Sequence, residues 1–262
     1  MTDVDGERET ALERLTRDVE PLPDHVAVIQ DGNRRYARER GEPPTEGHVY
    51  GAETTEAFLG WMCDLGIPEV TLYTLSTENF DRPDHELRRL FDLIEDKLHE
   101  LARDEDIHDN EVKVVGVGEI EMLPPRVREA LDHVESSTER YTEHRLNVAV
   151  AYGGRSELLS AARAVLREVE RGRLKASDVD EAALSRHIYV EDVDLVIRTG
   201  GDRRMSNFLP WQAAGNEAVV EFQSCYWPEF TERHLARALE RYADVQMRST
   251  EAESRKAESP AD

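Results

Sequence analysis

The chain has 262 residues, enough for one large domain, and carries 33 basic against 56 acidic residues, a formal net charge of −23. Hydrophobic residues make up 39% without any run near the roughly 18 apolar residues of a membrane span, which argues for a soluble protein. Such an excess of negative charge would repel a phosphate backbone and excludes nucleic acid as a partner.

The basic residues are mostly arginines, with lysine only at Lys97, Lys113, Lys175 and Lys256. An acidic, lysine-poor surface suits a halophilic cytoplasm, where salt at 1 M screens charge over about 3 Å. Cys63 and Cys225 match neither a disulfide framework nor a metal-site spacing, and the first 25 residues lack an apolar leader. Both features imply cytoplasmic residence.

In chain order, residues 1–20 form a charged N-terminal segment with a loosely attached helix. A first strand follows at 25–30 (HVAVIQ), then a helix at 51–65 and a strand at 69–76. In the helix predicted at 84–103, Leu87, Leu90, Phe91, Ile94, Leu98 and Leu101 recur at three and four residues, a stripe that reads as ordinary core. Further strands are predicted at 111–118, 146–152, 194–199 and 218–223, and helices at 126–140, 156–171, 178–188 and 230–244. Residues 246–262 read as a disordered acidic tail. Strand and helix alternate over 21–245, which predicts a single α/β domain: a central, mostly parallel six-stranded sheet flanked by helices.

Ligands of such sheets lie beyond the carboxyl ends of the strands. Three segments there mix arginine with small hydrogen-bonding residues: Asp31-Gly32-Asn33-Arg34-Arg35-Tyr36, Ser76 to Pro83, and Arg198-Thr199-Gly200-Gly201 through Asn207. Taken singly, each is an ordinary turn with solvated arginines. Together they place Arg35, Arg82, Arg198 and Arg204 on one rim of a chain otherwise strongly acidic, which calls for an anion. Diphosphate fits, because guanidinium forks bind phosphate oxygens in pairs. Asp31 and Glu217 would then hold Mg²⁺, a hard ion taking one or two carboxylates plus substrate phosphates. The G-x-x-x-x-G-K-[ST] loop is absent, and Gly116-Val117-Gly118 stops short of G-x-G-x-x-G. The loop acids Asp104, Asp106 and Asp109 read as merely solvated.

The stretches His25 to Ala37, Gly47-His48, Leu72 to Pro83 and Arg198 to Gln212, with Glu217, closely resemble the cis-prenyltransferases of the undecaprenyl diphosphate synthase family in order and spacing. The resemblance implies repeated condensation of isopentenyl diphosphate onto an allylic diphosphate, with a hydrophobic tunnel for the growing chain and usually a homodimer. It makes Asp31 the catalytic carboxylate on Mg²⁺. Gly32, Asn33, Arg34, Arg35, Tyr36 and His48 would sit around the allylic diphosphate. Ser76, Thr77, Glu78 and Phe80 fall in the second motif, with Asn79 as the asparagine linked to proton removal. An amide is a poor base, so Asn79 suits orientation better. Arg82, Arg198, Arg204, Met205 and Ser206 would hold isopentenyl diphosphate, and Glu217 would complete the metal site from the far side of the fold or from a neighbouring subunit. Phe80, Leu75, Phe58, Leu59 and Met62 are candidates for the tunnel wall.

Two departures stand out. Pro44 occupies the position of a family arginine, whose contact Arg34, Arg38 or Arg40 would have to supply. Leu75 and Phe80 replace larger aromatics, changes compatible with extra room in the pocket. The expected primer is geranylgeranyl diphosphate, because the charge composition points to a high-salt cytoplasm of the archaeal kind, whose lipids are built from such units. The expected product is a polyprenyl diphosphate of about undecaprenyl size that partitions to the membrane. A non-catalytic subunit of such an enzyme would lack Asp31, Asn33, Arg35 and Glu217, all present here. An aspartyl phosphotransferase would want an acid where Asn33 stands, and a pure binding module would leave the rim arginines unexplained.

Overall fold

The computed structural model describes residues 11–215 and 217–258; the rest of the charged N-terminal segment and the last four residues of the predicted tail lie outside the described residues. All six predicted strands are present: β1 (His25–Ile29), β2 (Glu69–Tyr73), β3 (Val112–Val117), β4 (His144–Ala149), β5 (Leu195–Arg198) and β6 (Val219–Phe222). They form one sheet in the order β3-β4-β2-β1-β5-β6, with every pairing parallel. The central strand β1 is buried at every position, as a parallel strand covered on both faces must be.

The helices are α1 (Ala11–Thr16), α2 (Asn33–Glu39), α3 (Glu46–Asp64), α4 (Asp84–Leu101), α5 (Glu105–Asp109), α6 (Pro125–Thr138), α7 (Gly154–Glu170), α8 (Glu181–Ser185), α9 (Pro210–Gly215) and α10 (Glu232–Glu258). Two core clusters separate on the faces of the sheet. The larger unites Val26, Val28, Leu72 and Leu146 with Phe58, Ile94, Val127 and Leu239. The smaller gathers Ala27, Ile29, Val196, Tyr152 and Phe208. Alternate residues of one strand supply the two faces, since successive side chains point oppositely.

Both chain ends differ from expectation. Helix α1 is docked, with Leu12 fully buried in the larger core and α1 packed on α10. Helix α10 continues to Glu258, well into the segment read as a disordered tail. Its Leu235, Leu239 and Tyr242 anchor the first turns. Beyond them the alanine, glutamate and arginine content carries high helix propensity without an apolar face, and mean hydropathy alone does not register that. Among the described residues no helix is long and apolar enough to cross a membrane.

Candidate active site

Strand β1 delivers Asp31 to the carboxyl rim of the sheet, and the turn behind it fixes the side chain. Gly32 has φ 105°, and a Cβ there would lie 2.6 Å from the Tyr226 ring, so glycine is required on both counts. Thr199, buried after β5, accepts the Asp31 N–H at 3.1 Å and donates to the Asp31 carbonyl at 2.8 Å. The Asp31 carboxylate accepts from Gly32 N (2.7 Å) and Arg35 Nη2 (3.2 Å) on Oδ1, and from Arg198 Nη2 (2.7 Å) on Oδ2. Burial pushes its pKa up, but the Arg198 hydrogen bond and charge, then Arg35 and the Gly32 amide, hold it below the usual carboxylate range.

Arg198 is the hub of one half of the site. It is buried at the end of β5, donates to Ser206 Oγ at 2.7 Å and to the Arg204 carbonyl, and lies 3.4 Å from Asp202. Asp202 also pairs with Arg204 at 2.9 Å and approaches Arg35 at 4.0 Å. The loop takes φ values near +50° at Ser206, Asn207 and Leu209 to turn its polar groups inward.

The other half gathers Asn33, Arg34, His48 and Arg82. Gly47 lets α3 approach this turn, for a Cβ there would stand 1.9 Å from the Asn33 carbonyl oxygen. Burial, then the charges of Arg82 and Arg34, lower the His48 pKa to about 4. Burial and Arg34 also lower that of Arg82. Asn33 Oδ1, Arg34 Nε and Arg82 Nη1 are buried and have no hydrogen-bond partner. Each guanidinium keeps one donor unspent, Arg34 although its Nη2 pairs with Glu86 at 3.2 Å, and an anion would complete both.

Between the halves, residues 76–82 make a capped single turn. Ser76 accepts from the Asn79 amide, and Asn79 Oδ1 accepts from Ser76 N at 3.1 Å. Glu78 accepts from Asn207 Nδ2 at 3.1 Å. Burial raises the Glu78 pKa, but hydrogen bonds from its own backbone, Asn207, Ser76 and Thr77 bring it below normal. The side-chain oxygen of Asn79 is thus engaged by the backbone of its own turn.

Asp31, Asn33, His48, Ser76, Glu78, Asn79, Arg82, Arg198, Arg204 and Ser206 all open into one cavity of about 950 Å³. Behind this polar mouth the wall is largely apolar, with Leu72, Leu146 and Val148 from the sheet, Leu59 from α3, and Leu90, Leu93, Ile94, Leu98 and Leu101 from α4, and it is interrupted by Glu56, Lys97, Glu100 and Asp104. Cationic groups at one end and a long hydrocarbon lining behind them suit an amphiphile with an anionic head.

Comparison with known proteins agrees. Residues 29–250 match the prenyltransferase family model described as "Putative undecaprenyl diphosphate synthase". The chain belongs to this family. It is 52% identical over 231 residues, 87% of its own length and 76% of the other, to the geranylgeranyl-diphosphate-specific tritrans,polycis-undecaprenyl-diphosphate synthase of Halobacterium salinarum. The Haloarcula marismortui protein of the same name is 50% identical over 93% of this chain and 82% of its own. Among solved structures, lavandulyl diphosphate synthase from Lavandula x intermedia, in complex with dimethylallyl diphosphate, superposes with a TM-score of 0.80 at 32% identity, covering 85% of this chain and 95% of that one. A probable undecaprenyl diphosphate synthase from Campylobacter jejuni gives 0.70 at 28%, with the same coverage of both chains.

Within this prenyltransferase fold some expected site residues stand elsewhere. Tyr36 is on the surface, packed edge-on to Tyr50 with the Arg40 guanidinium 4.2 Å from its ring centre. Thr77 bonds the loop after β4 through its backbone. Phe80 packs on Phe91, and Met205 packs on the smaller core cluster. Of the candidate wall residues only Leu59 lines the cavity, while Leu75, Phe58, Met62 and Phe80 belong to the core. Leu75 and Phe80 therefore do not make the extra room expected of them.

Glu217 is exposed two residues before β6, whereas Asp31 lies two residues beyond β1. The strands are parallel, so the two acids occupy opposite rims, and Glu217 cannot join Asp31 within one chain. The structure brings Asp202 to Asp31 instead, through their shared Arg198 and Arg35. Among the described residues no three metal-binding side chains cluster. One accessible carboxylate of lowered pKa, with Asp202 beside it, nevertheless suits Mg²⁺, which draws its remaining ligands from substrate phosphates.

Asp202, Thr199, Asn207 and the cavity-lining Arg155 were missing from the expected site. All but Arg155 lie inside the stretch already singled out. Of the candidates to replace the arginine at Pro44, Arg34 is the one whose charge acts on His48 and Arg82.

Proposed function

We propose that this prenyltransferase condenses isopentenyl diphosphate repeatedly onto geranylgeranyl diphosphate and releases a polyprenyl diphosphate of about undecaprenyl size. The observation that carries the reading is the one cavity whose mouth holds Asp31, Arg82, Arg198 and Arg204 and whose depth is lined mainly by aliphatic side chains. The names of the archaeal relatives support the primer and the product length.

Arg34 and Arg82 receive the allylic diphosphate with their unsatisfied donors, beside Asn33 and His48, while Arg198, Arg204 and Ser206 hold isopentenyl diphosphate. This moves Arg82 from the isopentenyl to the allylic side, where Arg34 and His48 stand. Cleaving the allylic carbon–oxygen bond leaves negative charge on diphosphate, which the arginines stabilise more than the ground state. Mg²⁺, held by Asp31 and phosphate oxygens, would add Lewis-acid help to the leaving group. The aliphatic wall excludes water from the allylic cation, and the capped turn at Ser76–Asn79 keeps the amide of Asn79 over the acceptor.

The active unit is a homodimer, the arrangement in which the exposed Glu217 of one subunit can reach a site in another. The protein works in the cytoplasm and yields its product at the membrane surface. Labelled isopentenyl diphosphate, Mg²⁺ and equal amounts of farnesyl and geranylgeranyl diphosphate, followed by mass spectrometry, test the reading. Preferential extension of the geranylgeranyl primer supports it, and a preference for farnesyl overturns the primer assignment. Absence of incorporation overturns the reaction.

A further inference from the structure

Three segments that leave the sheet at its carboxyl rim meet at one residue, Asn207, in the loop after β5. Its backbone carbonyl accepts the Gly154 N–H at 2.8 Å and its Oδ1 accepts the Arg155 N–H at 2.9 Å, so it caps α7 from outside that helix. The cap settles which way the amide points. With Oδ1 committed to a backbone donor, Nδ2 is left to donate, and it does so to Glu78 Oε1 at 3.1 Å, in the turn after β2. A Cβ on Gly153 would lie 2.7 Å from Thr77 Oγ1 and 3.2 Å from Asn207 Nδ2, so the three segments converge only over a glycine.

The neighbours of Asn207 show what this junction holds. Ser206 Oγ accepts from Arg198 Nη1 at 2.7 Å, the Ser206 carbonyl accepts from the Tyr73 hydroxyl at 3.3 Å, and the Phe208 ring stacks on Tyr73 with centres 4.4 Å apart. Those contacts tie the loop to β5 and β2, whereas the Asn207–Glu78 bond ties it to the turn at 76–82. The turn is fastened separately, by its own capping box and by Thr77 N–H on the Tyr152 carbonyl at 3.0 Å. The loop is the strained partner, with φ of 49°, 59° and 46° at Ser206, Asn207 and Leu209. Breaking the Glu78 bond therefore lets the loop relax and leaves Arg82 in place.

Resting on the proposed condensation reaction, we infer that Asn207 is a positioning residue, which holds the isopentenyl loop with Arg204 and Ser206 in register with the Ser76–Asn79 turn. Asn207→Asp keeps the shape and the cap on Arg155 but sets a carboxylate against Glu78. Adding Glu78→Gln restores the bond with donor and acceptor exchanged. Asn207→Gly suits the left-handed backbone and removes both side-chain bonds without adding charge.

Steady-state kinetics on variants shown to be folded by their Tm read the outcome. Asn207→Asp and Asn207→Gly should each raise KM for isopentenyl diphosphate about tenfold and leave KM for the geranylgeranyl primer within about twofold, the scale of one lost hydrogen bond to a charged group. The exchange variant Asn207→Asp/Glu78→Gln should return to within about threefold of wild type. Should one single variant fail to fold, the other is read with the exchange variant. A wild-type KM in Asn207→Gly, an exchange variant no better than Asn207→Asp, or an equal rise for both substrates overturns the inference while leaving the reaction standing. A wild-type protein that adds no isoprene unit overturns the reaction, and this role of Asn207 with it.

Discussion

Asp31 Oδ2 accepts a 2.7 Å hydrogen bond from Arg198 Nη2, and that pair ties the carboxyl end of β1 to the carboxyl end of its neighbour β5. Arg198 is buried and Asp31 is not, so the carboxylate can exchange partners while the guanidinium stays in place. This is the behaviour wanted of a group that must meet a metal and a departing diphosphate. Asp31→Asn preserves shape and removes the charge. Turnover should fall at least about 100-fold, the scale of losing one electrostatic contact to a charged leaving group. Circular dichroism should report an intact fold, since Asp202, Ser206 and the Arg204 carbonyl still hold Arg198. Near wild-type incorporation by a folded Asp31→Asn protein would remove the carboxylate from the mechanism.

The two clusters of arginines predict two separable subsites. Arg204→Ala should raise KM for isopentenyl diphosphate, and Arg82→Ala should raise KM for the allylic primer, each by about tenfold to a hundredfold, from the roughly 1.5–3 kcal/mol of a charge-assisted hydrogen bond. Arg204 is bound to Asp202, whereas Arg82 stands against Arg34 and His48. Steady-state kinetics with the effects exchanged would reverse the subsites.

Much of this arrangement was legible before the structure. The strand runs were β-rich and bounded by turn residues, and the rim arginines follow strands directly, so strand order along the chain sufficed to place them on one rim. Glu217 precedes the strand predicted at 218–223 whereas Asp31 follows the one at 25–30, so once the sheet is parallel the two acids fall on opposite rims, and of the two routes expected for Glu217 only the neighbouring subunit stays open. The α4 stripe was read as core because three-and-four periodicity marks an apolar face without saying whether protein or a cavity lies against it. Leu90 and Ile94 are buried in the core cluster and also line the cavity. Arg82 was assigned by motif neighbourhood, but its pairing with Arg34 and His48 depends on α3 crossing the Asp31 turn, a contact between segments remote in sequence.

His48 predicts an acid limit. Its folded pKa of about 4 stands below the ordinary 6.5 because burial and the charges of Arg82 and Arg34 disfavour the imidazolium. Between those values the unfolded chain binds a proton that the folded chain refuses, so this contribution is intact above 6.5 and is lost as pH falls toward 4. His25, also lowered chiefly by burial, acts in the same sense. His48→Asn should therefore lose less stability than wild type between neutral pH and about 5 in urea titrations. Diphosphate bound beside Arg34 and Arg82 should favour the imidazolium, so calorimetry in buffers of different ionisation heat should show proton uptake on binding in that window. Parallel pH profiles for the two proteins would reject His48 as the group.

The net charge of −23 supplies the last expectation. Exposed acids repel one another over about 10 Å at 0.1 M salt and about 3 Å at 1 M, so added salt relieves the folded state of its self-repulsion. The exposed ion pairs, such as Arg128–Glu121 and Arg89–Glu46, are screened at the same time, but pairs of that kind contribute about 0–1 kcal/mol each. The Arg198–Asp31 pair, with its guanidinium buried, is screened less. Relief of repulsion therefore wins, and Tm should rise with KCl between 0.1 and 1 M, each kcal/mol gained moving it about 2–4 °C in a chain of this size. Potassium chloride separates screening from the surface exclusion that sulfate salts add, because the effect of screening levels off once the Debye length is shorter than the spacing of the acids. Replacing several exposed acids, for example Glu105, Asp106 and Glu139, with glutamine or asparagine should lower the salt requirement without touching the site. A Tm that is flat or falling in KCl, or a requirement unchanged by those neutral substitutions, would show that surface charge does not set the salt dependence.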